Sequence, residues 1–349
     1  MSICVFEHPF LSGLFKDEAV DKLFSAAFDV QEMIRFEVAL AKAQAELGLI
    51  PEAAALALAE TASSFRADMA KLNQATARDG VVIPELVRQL RAHVGETYAH
   101  YVHFGATSQD VIDTSLMLRL KTFTQIAQQK LAQLLQQFDA LDKAHGKRGL
   151  SAYTRMQAAL PVTVHDRMVS WIEPLKRAQY RLDHLRFPLQ LGGAVGTLQG
   201  FGDQATALRG NLSLMLALDD LPQWQSTRDI IADIANAFVT LSGSLGKFGQ
   251  DIAMMAQSVE EIALSGGGAS SAMPHKQNPV NAEILVSLAR FNAVQISAIQ
   301  QSMVHEQERS GAAWSLEWMV LPQICASLAA ALNVSIRLVD QIQSLGKDL

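Results

Sequence analysis

Cysteine is scarce in this sequence, and so is any excess of positive charge. Cys4 and Cys325 are the only two cysteines among 349 residues, too few to build a disulfide framework or a thiolate metal site. The formal net charge of −6 differs from the basic excess typical of general nucleic-acid binders, although it is compatible with a local cationic pocket for an anionic substrate. We therefore expect a protein of a reducing compartment that does not bind nucleic acid.

Sorting signals, membrane spans and cofactor motifs are missing as well. The first residues, MSICVFEHPFLSGLF, lack the basic region and the uninterrupted apolar stretch of a secretory signal. No apolar run reaches the ~18 residues that a membrane-spanning helix needs. The chain has no Cys/His cluster, no His-Glu-x-x-His motif and no phosphate-binding loop after a strand, and His275 alone could not hold a metal ion. We expect a cytoplasmic protein with no membrane contact, metal or organic cofactor.

What the sequence does have is long helices. Apolar residues alternate at spacings of three and four along two stretches, which is typical of helices packed in a bundle. These two seams are Leu116, Leu120, Phe123, Ala127, Leu131, Leu134, Phe138 and Leu141, and Ile231, Ile234, Phe238, Leu241, Leu245, Phe248, Ile252, Met255, Val259 and Ile262. The second seam predicts one helix over about 227–263, roughly 55 Å long at 1.5 Å per residue. Further helices are predicted over 162–185, with a kink or restart at Pro174, over 279–304 and over 314–345.

No period-two strand and no hairpin signal stands out between these helices, so the predicted fold class is all-α. The length alone allows two or three domains or one long bundle. The first hundred residues hold shorter helices that glycine and proline interrupt. We therefore expect an N-terminal helical domain over residues 1–100 and a long-helix bundle over residues 101–349.

The segment from Gly266 to Pro279, Gly-Gly-Gly-Ala-Ser-Ser-Ala-Met-Pro-His-Lys-Gln-Asn-Pro, is chemically unusual. A flexible loop between helices would explain the glycines and serines but not the Met-Pro-x-Lys-x-Asn-Pro string attached to them. The segment resembles the signature of the fumarase/aspartase superfamily, Gly-Ser-x-x-Met-x-x-Lys-x-Asn, with Ala269 in place of the glycine. The resemblance implies an all-helical, cofactor-independent lyase that acts on a small polycarboxylate.

By this resemblance the segment closes over the substrate and carries catalytic groups. Ser270 exchanges a proton at the carbon beside a carboxylate, while Lys276 and Asn278 stabilise the resulting aci-carboxylate. A serine can do so only in a dry, cationic site, because its ordinary pKa is far too high for a base. Ser271 is an alternative for that role, or a loop hydroxyl that contacts substrate or backbone. Met273, the methionine of the signature, is expected to contact the substrate.

A second block, His103-Phe-Gly-Ala-Thr-Ser-Gln-Asp110, resembles the first conserved block of the same superfamily. The resemblance implies that Thr107 and Ser108 hold a substrate carboxylate, that Gln109 lies nearby in the binding site, and that His103 lines it. Thr-Ser-x-Asp also makes an ordinary helix N-cap. Both interpretations can hold, since the N-terminus of a helix binds anions well.

A third block, Thr154-Arg-Met-Gln157 followed by Pro161, resembles the family's Thr-His-x-Gln-x-Ala-x-Pro, with Thr154 and Gln157 as substrate contacts. Arg155 replaces the histidine that protonates the leaving group in many members. Arginine is always protonated, so it cannot cycle as an acid. Either catalysis is lost, or the reacting group is a carboxylate, which with a pKa of about 4 needs no protonation and suits a bidentate arginine contact.

A carboxylate that adds across its own conjugated double bond forms a lactone. The sequence therefore points to the lactonizing cycloisomerase branch of the superfamily, which acts on a carboxymuconate in protocatechuate breakdown, the β-ketoadipate pathway. Two further stretches, Leu191–Leu198 and Glu306–Trp318, resemble that branch. Arg309 in the latter is expected to contact the substrate or to be a surface arginine.

The family also implies partners for the changed arginine and for the whole chain. Glu283 is predicted to pair with Arg155, the alternative being a plain surface glutamate. Members form homotetramers with a twenty-helix core and active sites shared between subunits. They commonly carry a further small C-terminal domain, which we expect to be missing. The competing hypotheses are an elimination lyase of the adenylosuccinate or argininosuccinate type, a catalytically silent structural homologue, and a helical scaffold.

Overall fold

The computed structural model describes residues 4–258, 261–269, 273 and 276–348. Ser270 and Ser271, which carry the predicted proton-transfer role, lie outside the described residues, as do Val259 and His275. The predicted all-α fold is confirmed, because helices make up most of the described chain and the strands are short.

Six helices precede the first long helix. They are α1 Ser12–Phe15, α2 Glu18–Leu23, α3 Ala26–Glu46, α4 Glu52–Ser64, α5 Met69–Asp79 and α6 Ile83–Val94. Helix α3 is the longest of them, and Phe36, Leu40 and Ala43 on its inner face are almost completely buried. This face packs against the long helix that follows, so the first segments share one hydrophobic core with the bundle.

The bundle contains α7 Ser108–His145, α8 Val164–Asp183, α9 Ala205–Leu216, α10 Asp229–Ser258, α11 Val280–Ser302 and α12 Gly311–Gln341. Both predicted seams are buried: every position of the first seam, and the second from Ile231 to Met255. At their centre Phe248 packs edge-on against Phe138 and Trp171, with ring centroids 5.0 and 5.1 Å apart. Truncation of any one of these rings to alanine would lower the free energy of unfolding by on the order of 3–5 kcal/mol.

The helix boundaries differ from prediction at one end of the bundle. Helix α10 is described from Asp229 to Ser258, and Ile262, which the prediction placed in this helix, is instead buried in strand β3, Ile262–Leu264. This strand pairs antiparallel with β6, Ile342–Leu345, which also ends α12 before the predicted boundary. The spacing of apolar residues extends to Ile262 because this residue is as buried in the strand as the seam residues are in the helix, so the spacing alone did not show where the helix gives way to the strand. Helix α8 runs through Pro174 instead of restarting there.

The prediction that the chain has no hairpin was wrong. Strands β1, Gly149–Thr154, and β2, Gln157–Thr163, form an antiparallel pair between α7 and α8. Their two-residue turn is Arg155–Met156, with φ of +49° and +66°. Such turns usually carry asparagine or glycine because both positions need positive φ, and neither residue occurs at this turn to indicate a hairpin. A smaller pair, β4 Gly268–Ala269 with β5 Gln277–Asn278, lies between β3 and α11.

Helices α11 and α12 are long and apolar enough to cross a membrane by composition alone. Helix α12 has 67% of its most apolar window buried inside the chain, as a core helix of a soluble protein would. Helix α11 has only 28% buried, and Val294 on its outer side is 73% exposed. Its packing within one chain therefore leaves apolar surface uncovered.

The long helices give the bundle two distinct ends. One, called here the capping end, contains residues 103–110, 190–198 and 303–310. The other, called the hairpin end, contains residues 149–163, 261–269, 273, 276–278 and 341–347. Contacts hold each end together: Gly192 N donates to Asp110 Oδ1 at the first, and Ser151 N donates to Glu261 Oε1 at the second.

Candidate active site

The site residues predicted from sequence divide between the two ends. The capping end carries His103, Thr107, Ser108, Gln109 and Arg309, and the hairpin end carries Thr154, Arg155, Gln157, Met273, Lys276, Asn278 and Glu283. Helix α7 begins at the first group and leads to the hairpin, and its 38 residues span about 57 Å at 1.5 Å per residue. One chain alone therefore does not bring the three sequence blocks together.

At the capping end, Asp110 fixes the glycine block to the start of α7. Its carboxylate accepts hydrogen bonds from Thr107 N at 3.0 Å, Gly192 N at 2.8 Å and Gly193 N at 3.0 Å. Burial raises the pKa of Asp110 to about 6, although these hydrogen bonds favour the charged form. A Cβ on Gly192 would lie 2.8 Å from Gln225 Oε1, so a larger residue here would displace that buried glutamine side chain.

Gln109 is fully buried, and each of its polar atoms is occupied. Its amide donates to Asp113 Oδ2 at 3.0 Å and to the carbonyl of Gln225 at 2.7 Å, while its Oε1 accepts from Arg309 Nε at 2.8 Å. Gln109 therefore does not contact the solvent itself, and it contributes to the site by holding Arg309 in place.

Arg309 lies over the N-terminus of α7. Besides Gln109, its Nη2 donates to Thr107 Oγ1 at 3.4 Å and to the carbonyl of Ala194 at 3.3 Å. Ser108 starts the helix and is partly exposed beside it. An exposed guanidinium, two hydroxyl groups and the free N–H groups of a first helical turn form an arrangement that binds carboxylates well.

His103 has positive φ, +63°, and its Nδ1 lies 2.6 Å from Glu37 Oε1. Burial disfavours the charged imidazole, but the charge and hydrogen bond of Glu37 outweigh it, so the pKa of His103 is raised. The pair favours an imidazolium at the capping end and so adds to its positive potential.

A buried ion cluster supports this end from below, and sequence reasoning missed it. Arg228 contacts Asp113 (Nη1–Oδ2, 2.6 Å) and Glu317 (Nε–Oε1, 2.8 Å), and all three side chains are fully buried. Burial opposes the charge of Arg228, but the two carboxylates raise its pKa. The cluster joins α7, the start of α10 and α12. Its members lie 115 and 89 residues apart in sequence, so no local motif reveals it.

At the hairpin end, the turn presents Arg155 to solvent beside a cavity of about 670 Å³. Thr154 and Gln157 face each other across the turn as the last pair of the ladder, and both are exposed. The Gln157 amide donates only to the neighbouring carbonyl of Met156, at 3.2 Å. All three predicted contacts are thus accessible at the hairpin tip.

Of the superfamily signature, Ala269 lies in β4 and Asn278 in β5. Asn278 pairs with Gly268 in the short ladder, and Lys276 N donates to the carbonyl of Met273 at 3.0 Å. The side chains of Lys276 and Met273 are exposed. A Cβ on Gly268 would lie 2.6 Å from Val280 Cγ2, which explains a glycine where β4 packs against the start of α11.

Glu283 lies in the first turn of α11 and is exposed. Among the ion pairs of the described residues, none joins Glu283 to Arg155 within the chain. Because both side chains are exposed, their pairing stays a prediction for two neighbouring copies. In the described part of the chain no group of three His, Cys, Asp or Glu side chains is arranged to hold a metal ion.

Comparison with known proteins agrees with the fold and the blocks. A family model described as "Lyase" matches residues 15–294. The 3-carboxy-cis,cis-muconate cycloisomerase of Bradyrhizobium diazoefficiens is 35% identical, and the match covers 97% of this chain and 77% of the relative. The crystal structure of the 3-carboxy-cis,cis-muconate lactonizing enzyme from Pseudomonas putida superposes with a TM-score of 0.90 at 33% identity, covering 96% of this chain and 77% of that one.

A relative with another name is also similar: nitrosuccinate lyase of Streptomyces davaonensis is 32% identical, and the match covers 94% of this chain and 73% of the relative. The blocks at both ends of the bundle, the helical architecture and these similarities lead to one assignment. The chain belongs to the lyase family of the fumarase/aspartase superfamily, and cycloisomerases that lactonize 3-carboxy-cis,cis-muconate are among its similar relatives.

Proposed function

We propose that this protein is a cofactor-independent cycloisomerase that converts 3-carboxy-cis,cis-muconate to a carboxymuconolactone. The observation that carries the proposal is Arg155, which is exposed at the hairpin tip where many family members have an acid histidine. A guanidinium holds a carboxylate but does not deliver a proton. It therefore suits a reaction in which the attacking group is a carboxylate.

The proposed reaction forms one C–O bond and one C–H bond. The carboxylate held by Arg155 adds to its own conjugated double bond, and the electron pair moves onto the carboxylate beside the new carbanion as an aci-carboxylate. Lys276 and Asn278 stabilise that charge, and Ser270, or a water that it positions, protonates the carbon. Ser271 is the alternative proton donor. Three ionised carboxylates become two and a lactone, so each turnover takes up one proton from solvent.

The capping end supplies the second half of the site. Thr107, Ser108 and Arg309 bind a non-reacting carboxylate at the start of α7, and His103 adds positive charge. Because about 57 Å separates this end from the hairpin within one chain, we propose that neighbouring copies run antiparallel and share active sites in a homotetramer. The apolar outer side of α11, with Val294 exposed, would be covered in that assembly, and Glu283 would reach the Arg155 of another copy.

The wider context follows from the same proposal. Similarity over nearly the whole chain to enzymes of this superfamily supports a soluble protein, which we place in the cytoplasm and in protocatechuate breakdown by the β-ketoadipate pathway. The partners are then a small polycarboxylate and further copies of the chain. We also retain the division into an N-terminal helical domain over residues 1–100 and a bundle over 101–349.

A direct assay tests the function. The protein is incubated with 3-carboxy-cis,cis-muconate while the diene absorbance and, in a pH-stat, proton uptake are recorded. We expect loss of absorbance with one proton consumed per lactone formed. The Arg155→Gln variant should lose most activity, and the matched Arg337→Gln variant on the exposed side of α12 should keep it. Turnover of adenylosuccinate or nitrosuccinate in place of the muconate would overturn the proposal.

A second candidate is an elimination lyase whose leaving group is already a stable anion. Arg155 suits such a group as well, and the similarity to nitrosuccinate lyase is the observation in its favour. The Ser270→Ala variant distinguishes an active enzyme from a catalytically silent structural homologue. If the protein is an active enzyme, this variant should fold normally and lose most of the turnover. Equal turnover of this variant and the wild type would remove Ser270 from the mechanism.

A further inference from the structure

The cavity beneath the β1–β2 hairpin holds more positive charge than the proposed mechanism uses. Its walls come from the hairpin, from the first turns of α8 and from the second half of α10. Three cationic side chains line it, Arg155, Arg167 and Lys247, together with two carboxylates, Asp251 and Glu261. Of these five residues, only Arg155 lies in a motif that resembles the superfamily.

The two carboxylates are already committed to other partners. Asp251 forms an ion pair with Lys247 and accepts a hydrogen bond from Trp171 Nε1 at 2.8 Å. Glu261 is buried and accepts from Ser151 N at 2.8 Å, which ties the hairpin to the end of α10. Lys247 is therefore neutralised within the cavity wall, and in the described part of the chain neither carboxylate forms an ion pair with an arginine.

The two arginines have no such partner. Over the residues that the structure describes, the guanidinium groups of Arg155 and Arg167 form no ion pair and donate no side-chain hydrogen bond. Arg167 is only partly exposed, so water screens its charge incompletely. Two unpaired like charges that face one cavity repel each other, and a bound anion relieves that repulsion.

The shape and lining of the cavity indicate which anion. Its volume of about 670 Å³ is that of a small-molecule site. Met254 and Met255 add apolar surface beside the charges, which suits a short carbon chain, and guanidinium forks match carboxylates in geometry. We propose that Arg167 is a second substrate-binding residue at the hairpin end, and that it shares with Thr107, Ser108 and Arg309 of a neighbouring copy the single non-reacting carboxylate of the substrate whose reacting carboxylate Arg155 holds.

This inference rests on the proposed function for the identity of the substrate, and it assigns the two arginines different roles. Arg155 contacts the group that forms the new bond, so its loss lowers kcat. Arg167 contacts a carboxylate that is unchanged in the reaction, so it stabilises substrate and transition state alike. Its loss should therefore raise KM and leave kcat nearly unchanged.

The test compares Arg167→Gln with Arg177→Gln, a matched control ten residues further along the exposed side of α8. With 3-carboxy-cis,cis-muconate we expect Arg167→Gln to raise KM roughly 10- to 100-fold, the range for a charged hydrogen-bonded contact, while kcat changes less than about threefold. Arg177→Gln should match the wild type. Arg167→Lys, which retains the charge, should recover part of the affinity. A KM for Arg167→Gln equal to that of the control overturns the inference.

A binding experiment separates this inference from the proposed function. Citrate is titrated calorimetrically into the wild type and both variants, with thermal unfolding as the check on folding. Weaker citrate binding by Arg167→Gln than by Arg177→Gln supports the site even if the wild type does not turn over the muconate. Equal citrate affinities of Arg167→Gln and Arg177→Gln would overturn the assignment of Arg167 as a carboxylate-binding residue. If Arg167→Gln does not fold, the comparison of Arg167→Lys with the wild type decides, because lysine lacks the bidentate fork and should raise KM measurably.

Discussion

Arg309 Nε donates to Gln109 Oε1 at 2.8 Å, and this hydrogen bond fixes an exposed guanidinium over the first turn of α7. Gln109 is in turn held by Asp113 and the carbonyl of Gln225. The arginine is therefore preorganised before any anion arrives, which reduces the entropy cost of binding. The glutamine contributes to recognition without an exposed atom of its own.

Removal of Arg309 should weaken substrate binding and leave the fold intact. We expect Arg309→Ala to raise KM for the polycarboxylate about 10- to 100-fold, as for loss of a charged hydrogen bond, because its fork and Thr107 together face the bound carboxylate. Its melting temperature should fall only modestly, because the lost side chain is exposed and its removal lets water reach the Gln109 Oε1 that it leaves unpaired. Steady-state kinetics beside Arg337→Ala checks this, and an unchanged KM would place substrate elsewhere.

Shared active sites predict that two inactive variants restore each other. Arg309→Ala alters the capping end and Arg155→Gln the hairpin end, so each copy in a mixed tetramer retains one intact end. Unfolding and refolding the two variants together should recover part of the wild-type activity, whereas each variant treated alone should not. If the mixture, confirmed as hetero-oligomer by native mass spectrometry, stays inactive, the sites are not assembled from opposite ends of different copies.

The ion cluster beneath the capping end should be essential for stability. We expect Arg228→Met to lower the free energy of unfolding by about 3–5 kcal/mol, because two buried carboxylates lose the cation that they share. Denaturant titration measures the change, with Arg337→Met as the control for loss of an exposed arginine. The triple variant Arg228→Met, Asp113→Asn, Glu317→Gln removes both buried charges and keeps an acceptor at position 113 for the buried donors there. It should recover much of this loss, and a triple variant as unstable as the single one would contradict the account.

His103 gives the protein a pH dependence of known sign. Because the folded-state pKa lies above the unfolded value of about 6.5, the stabilisation that Glu37 provides is fully present below that value. It is lost as the pH rises through the raised folded pKa. The stability difference between wild type and Glu37→Gln should thus shrink as the pH increases across this window, as followed by denaturant titrations, with the imidazole pKa measured by NMR.

The features that sequence predicts well here are those with a local pattern. The seams of α7 and α10 follow from spacing, since residues three and four apart share a helix face. Phe138 of the first seam and Phe248 of the second pack against each other in the core. The hairpin escaped prediction because Arg155 and Met156 adopt positive φ without a residue type that favours it. Arg228 escaped because its partners are distant in sequence and meet only in the folded chain.

The same limit applies to the candidate site. Short motifs drew attention to Thr107, Lys276 and Arg155. Gln109 was also expected in the binding site, but it is buried behind Arg309. That position depends on the contact between α7 and the loop before α12, which the sequence does not reveal. Arg167 lies in no motif, and only the cavity it shares with Arg155 draws attention to it.

The length of α7 also restricts how this protein can change. Each end carries only part of the catalytic equipment, and an antiparallel neighbour must offer the matching part at the same height. Insertion of a single turn into α7 would move the hairpin by about 5.4 Å and misalign it with the capping end of the neighbouring copy. Only a coordinated lengthening of α7, α8, α10, α11 and α12 would preserve the alignment, so bundle length should vary far less among functional variants than the loops at either end.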